Sequence, residues 1–164
     1  MIGNDIVDIA QSRKESNWRR TGFIDKLFTI EEQLLIAEHS DPEIMVWRLW
    51  TMKEAAYKIY NRETSLRAFI PKQLICSIYG RLDGIVKCND RFYFTKTAID
   101  DDFIYTVAVT NTSYFGSIKE LRNPDIVKDE HGLPYIVDEI SSKLSPVSVT
   151  HHGKYLRTVQ LQID

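Results

Sequence analysis

The stretch from residue 43 to residue 60 carries the strongest periodic signal in this chain. Met45, Leu49, Met52, Ala56 and Ile59 recur at the spacing of one helical face. Trp47, Trp50, Glu54 and Lys58 form a second stripe beside them. Pro42 suits the first turn of such a helix, where its missing N–H leaves no bond unmade. A helix this long with an apolar stripe must bury that stripe against another element. Upstream, Thr29-Ile30-Glu31-Glu32 has the form of a capping box and predicts a helix over 30–39, stopped before Pro42. Residues 2–9 read as a first strand, and 12–20 as helix or loop. After a polar connection at 61–67 the period becomes strand-like, at 74–79, 84–88, 91–96 and 103–110. Residues 117–122 read as a short helix, 135–137 as a strand and 139–144 as a helical turn. Residues 147–150 and 154–163 read as a hairpin around His151-His152-Gly153. Helices early and strands late predict an α+β domain, with an antiparallel sheet packed against the long helix.

Composition narrows the classes. The 164 residues are 43% apolar and 27% charged, with a net charge of -2. That balance suits one globular domain and argues against a generally basic nucleic-acid binder. Cys76 and Cys88 lie twelve apart, without the spacing of a zinc site, and a core of this size needs no disulfide. No apolar run approaches the ~20 residues of a membrane span. The N-terminal segment carries Asp5 and Asp8 where a signal peptide would be basic and then apolar. The expectation is a cytoplasmic protein with no membrane partner.

Four groups carry candidate chemistry: Asp5, Asp8, the array Lys53-Glu54…Lys58, and Ser148…His151-His152. Each has a plain alternative. Asp5 reads equally as a solvated carboxylate, and Glu54 with Lys58 reads as an i,i+4 surface pair. Their order along the chain is more informative. Gly3-Asn4-Asp5-Ile6-Val7-Asp8, then Trp50-Thr51-Met52-Lys53-Glu54-Ala55-Ala56-Tyr57-Lys58, resembles the two leading motifs of the 4′-phosphopantetheinyl transferases. The segment 23–32 is similar to the family's stretch between them. Gly132-Leu133-Pro134 resembles the Gly-Lys-Pro turn of the small, holo-acyl-carrier-protein-synthase branch, and Val147-Ser148-Val149-Thr150-His151 its Val-Ser-x-(Ser/Thr)-His strand. The tryptophan form of the second motif is more typical of the larger branch. The chain departs from the small branch at 61–67, where a Gly-rich loop is replaced by Asn61-Arg62-Glu63-Thr64-Ser65-Leu66-Arg67. Residues 79–128 read as an insertion in a single domain covering 1–164.

The resemblance implies the fold of that family and a defined reaction. A carrier-protein serine attacks the β-phosphate of coenzyme A, the phosphopantetheine arm is transferred, and 3′,5′-adenosine bisphosphate leaves. A magnesium ion is implied, held by Asp5 and Glu54; such an ion takes one or two carboxylates together with substrate phosphate. Asp8 lies three residues from Asp5, on the other face of a regular strand, and suits an outer role or a helix cap. Glu54 is also a candidate acceptor for the serine proton. Lys58 faces the leaving phosphate. Lys53, Ser148 and His151 are implied at coenzyme A phosphates, with simple exposure as the alternative for Lys53. Arg13, Arg19 and Arg20 lie in a basic segment suited to an acidic apo acyl or peptidyl carrier protein. The rivals are a carrier-binding module without catalysis and, less favoured, a basic-patch nucleic-acid binder, for which no accompanying motif is seen. One copy of each motif points to sites shared between subunits of a homo-oligomer, with the extra strands at 74–110 capping the site within one chain as the alternative.

Overall fold

The structure is a computed structural model that describes residues 1–137 and 142–162. It opens with strand β1 (Ile2–Asp8), followed by helices α1 (Ile9–Glu15), α2 (Phe23–Leu27), α3 (Ile30–Glu38) and α4 (Pro42–Thr64). Strands β2 (Ile75–Ile78), β3 (Asp83–Cys88), β4 (Arg91–Ile99) and β5 (Phe103–Val109) come next. They are followed by β6 (Ile118–Leu121), β7 (Ile126–Lys128), β8 (Pro134–Val137), β9 (Leu144–His152) and β10 (Tyr155–Leu161). The strands form two five-stranded antiparallel sheets, ordered β1-β5-β4-β3-β2 and β6-β10-β9-β8-β7.

The long helix forms as its sequence dictates. Asp41 caps it, accepting from the Glu43 and Ile44 amides, and Pro42 sits in the first turn. Leu49, Met52, Ala56 and Ile59 are fully buried, as the apolar stripe requires. Burying each of the larger three contributes about 1.5–3 kcal/mol relative to exposure. The stripe lies across β1 and β5. Gly3 permits the closest approach, because a Cβ there would come within 2.0 Å of the Ala55 carbonyl oxygen. The helix runs beyond its expected end at residue 60. Asn61-Arg62-Glu63-Thr64 contains no breaker, and the turn comes at Ser65, which adopts a left-handed φ of 59°.

The capping box at Thr29 is present in both directions. Residues 117–122, expected to be helical, form β6 instead: pairing with β10 overrides a charge pattern that suits either state. Within 12–20 the helix ends at Glu15. Residues 79–128 are not set apart, since they supply β3, β4 and β5 of the first sheet and β6 and β7 of the second. Of the helical turn expected at 139–144, residues 139–141 lie outside the described residues, 142 and 143 are not helical, and Leu144 begins β9. Cys76 and Cys88 are buried free thiols.

The two sheets meet along β1. One edge of β1 pairs with β5. Along its other edge the amides of Asn4, Ile6 and Asp8 donate to side chains of β9. They bond to Ser148 Oγ at 2.9 Å, Thr150 Oγ1 at 3.2 Å and His152 Nδ1 at 2.8 Å. Alternate residues of a strand share a face, so Ser148, Thr150 and His152 form one row. This seam carries β9 against the end of α4.

Candidate active site

The seam places the motif residues around one cavity. Asp5, Glu54, Trp47, Trp50 and His151 line a space of about 350 Å³ between β1, α4 and the β9–β10 turn. Asp5 comes from β1 and Glu54 from the middle of α4. They meet because Gly3 lets that helix lie directly on the strand.

Asp5 is held from two sides. Lys58 Nζ lies 3.3 Å from its Oδ1, and the Thr150 hydroxyl donates to the same oxygen at 3.0 Å while accepting from the Ile6 amide. Burial raises the Asp5 carboxyl above its ordinary range, opposed by Lys58 and Thr150. Glu54 has no hydrogen-bond or ionic partner among the described residues. Burial, then the neighbouring Asp5, push its carboxyl up to about 7, against the pull of Lys58. Two partly desolvated carboxyls that repel each other form a donor set for a hard cation. Magnesium fits it, since such an ion is commonly held by one or two carboxylates with water and phosphate completing the shell. No cluster of three or more acidic, histidine or cysteine ligands exists among the described residues.

Lys58 Nζ donates to the carbonyls of Asn4 at 2.7 Å and Val149 at 3.2 Å as well as to Asp5. The Asp5 contact is the one of the three made to a side chain that lines the main cavity. Asp8 is otherwise engaged. It caps α1 through the Gln11 amide and accepts from the Lys154 amide at 3.1 Å. Gly153 makes that second bond possible: its φ is 54°, and a Cβ there would lie 2.2 Å from Asp8 Oδ2. The cap role anticipated for Asp8 is therefore the one it plays.

Lys53 does not reach the cavity. Its side chain is fully buried, and its ammonium bonds Glu32 Oε2 at 2.8 Å and the carbonyls of Pro71 and Leu74 at 2.8 and 2.6 Å. All three of its donors are engaged inside the protein, away from the cavity lining. About 100° of helical rotation per residue separates it from Glu54 and turns it into the core. Ser148 is also buried, with its hydroxyl accepting in the seam. It lines a smaller cavity on the far side of Lys58. His151 is exposed at the rim of the main cavity. His152, to which no role was assigned from sequence, accepts from the Asp8 amide through Nδ1. Its proton must then sit on Nε2, which faces Glu15 at 3.2 Å.

Of the basic segment, Arg13 is committed to Glu43 at 2.8 Å, joining α1 to the start of α4. Arg19 and Arg20 are exposed and lie over Trp18 and Phe23, with 4.1 and 5.5 Å to the ring centroids. Phe23 lines the main cavity and packs edge-on against Trp47. Arg20 thus lies against the outer side of a cavity-wall residue, whereas Arg19 lies on Trp18, outside the lining. Sequence reasoning missed Thr150 as a support for Asp5, and the two tryptophans as cavity wall. The alternating polar residues of 148–152 and the stripe shared by Trp47, Trp50 and Glu54 were the signals for both.

No curated protein matches the chain by sequence. Among solved structures, holo-[acyl-carrier-protein] synthase from Neisseria meningitidis superposes with a TM-score of 0.56 at 15% identity. It covers 68% of this chain and 97% of that one. The Helicobacter pylori holo-[acyl-carrier-protein] synthase, solved in complex with coenzyme A, gives 0.52 at 19% identity, covering 68% and 100%. These likenesses establish the fold. Residues 1–103, which hold Asp5, Glu54 and Lys58, match the model of one family, and the chain belongs to the 4′-phosphopantetheinyl transferase superfamily.

Proposed function

We propose that this protein transfers the 4′-phosphopantetheine arm of coenzyme A to a serine of an apo carrier protein, with release of 3′,5′-adenosine bisphosphate. The observation that carries the reading is the convergence of Asp5, Glu54 and His151 on one cavity, with Lys58 bonded to Asp5 at its edge. Asp5 and Glu54 would hold a magnesium ion, which supplies charge neutralisation at the pyrophosphate when bound. Lys58 exchanges its Asp5 contact for a phosphate oxygen and offsets charge building on the leaving group. The Glu54 oxygen that the ion leaves free would receive the proton of the attacking hydroxyl, directly or through water. The apolar wall of Trp47 and Trp50 excludes water and accommodates the pantetheine chain. Arg19 and Arg20 attract the acidic carrier.

The test is incubation of the protein with coenzyme A, magnesium and an apo carrier protein, followed by intact mass measurement of the carrier. A gain equal to one phosphopantetheine group is expected, and its loss in Asp5→Ala at saturating magnesium. A carrier that binds without any mass gain would leave only the non-catalytic binding module.

A further inference from the structure

We infer that Thr150 is a positioning residue for a divalent cation, an assignment that rests on the cation site of the transferase reading above. Through its hydroxyl, β9 fixes the rotation of the Asp5 carboxylate and so sets how tightly Asp5 and Glu54 hold the ion.

The polarity of the contact is forced. Thr150 Oγ1 lies 3.2 Å from the Ile6 amide, and a backbone N–H can only donate. The hydroxyl therefore accepts there, and its single proton goes to Asp5 Oδ1 at 3.0 Å. Thr150 is buried, and the two heavy substituents on its Cβ restrict the first side-chain torsion, so the backbone of β9 places that proton. Thr150 and Asp5 are 145 positions apart in the chain, and the seam alone brings them together. The neighbours of Thr150 in its row spend their bonds elsewhere. Ser148 accepts from the Asn4 amide, and His152 accepts from the Asp8 amide and faces Glu15.

Asp5 needs such a fixture. The last torsion of an aspartate is broad, so an unheld carboxylate turns its oxygens over a wide range. Thr150 and Lys58 both donate to Oδ1, and no described residue donates to Oδ2. One oxygen is thus tied to the protein, and the other is left for a cation in the cavity shared with Glu54. Lys58 is not a permanent anchor, because the proposed transfer turns its ammonium to a phosphate. Thr150 then remains as the donor to Oδ1. Partners that orient a ligating carboxylate in this way are worth about 10- to 100-fold in metal affinity.

Titration of the full chain with Mn²⁺ alone, as a spectroscopic substitute for magnesium, tests the assignment, with free ion counted by electron paramagnetic resonance. Thr150→Val keeps the shape and deletes the hydroxyl. It should weaken the ion about 10-fold or more, whereas Thr150→Ser, which retains the hydroxyl, should keep most of the affinity. Ser148→Ala removes the neighbouring seam bond without touching Asp5, and it should hold the ion as the wild type does. Melting curves accompany each variant. If Thr150→Val fails to fold, Thr150→Cys, with its weak S–H donor, takes its place and should bind more weakly than Thr150→Ser. Wild-type affinity in a folded Thr150→Val overturns the inference. Equal weakening in Ser148→Ala also overturns it, since the effect would then belong to the seam as a whole. A wild type that binds Mn²⁺ no better than Asp5→Ala removes the cation site, and the role of Thr150 with it. A wild type that shows the expected series yet loads no carrier removes the transferase reading and leaves Thr150 at the cation.

Discussion

Glu54 sits partly buried beside Asp5 with no bonding partner among the described residues, so its ionised form is poorly supported by the protein alone. Its carboxyl is raised to about 7, first by burial and then by Asp5. A raised carboxyl stabilises the fold while neutral. That contribution is complete below its unfolded value, near 4.5, and is lost as pH rises through about 7. The loss amounts to about 3 kcal/mol at most. Without divalent cation, Glu54→Gln should therefore melt at the same temperature as the wild type near pH 4.5 and above it at about pH 8. Transfer should fall by about 100-fold or more in the same variant. Thermal melts in chelator and a carrier-loading assay check the two halves. Equal melting temperatures at both pH values would show that Glu54 is solvated. Stability here runs against activity, as expected of a side chain placed for chemistry.

At the scale of elements, the buried pair Glu32–Lys53 joins four segments. Glu32 closes the cap of α3 through the Thr29 amide and accepts from the Cys76 amide of β2, while Lys53 ties α4 to the carbonyls of residues 71 and 74. Removing one partner leaves a buried charge unmatched. Lys53→Met should cost about 3–5 kcal/mol, and the double change Lys53→Met, Glu32→Leu should recover much of it. Denaturant titration measures both. The double variant should keep its KM for coenzyme A; a raised KM would return Lys53 to the binding site. The nine-residue motif was readable from sequence, yet it did not reveal that Lys53 turns inward. That depends on Glu32, twenty-one positions earlier, arriving beneath it. The α4 stripe, the Thr29 box and the β9–β10 hairpin were legible because their signals are local. The five-residue α2 was not legible, since it starts from a left-handed Gly22 with no side-chain cap. Strand β6 was not legible either, because only its partner β10 makes it a strand.

For the whole molecule, the arrangement of sheets bears on how many chains a site requires. One motif copy per chain suggested shared sites, because His151 must meet a coenzyme A held by Glu54. Within a single chain β9 already carries His151 to the cavity of Asp5 and Glu54. Mixing Glu54→Ala with His151→Ala chains should then restore no activity, whatever the oligomeric state found by light scattering. Recovered activity on mixing would require the strand to come from a neighbour. No helix among the described residues is long and apolar enough to cross a membrane. Arg19 and Arg20 stand outside the cavity lining, on Trp18 and on the cavity-wall residue Phe23. Reversing both to glutamate should raise KM for the carrier, leave KM for coenzyme A unchanged and weaken the salt dependence of loading. Equal effects on both substrates would place them elsewhere in the mechanism.

The seam along β1 gives the two halves of that strand's amides different lives. The amides of Gly3, Asp5 and Val7 face β5 across a backbone ladder, whereas those of Asn4, Ile6 and Asp8 rest on three side chains. Parting the sheets would break the second set and leave the first intact. In deuterated buffer the even-numbered amides should therefore exchange at the rate at which the sheets separate, and the odd-numbered ones at the slower rate of global unfolding. The even series thus serves as a built-in clock for how often the cavity comes apart, and a ligand that bridges β9 to α4 should slow it.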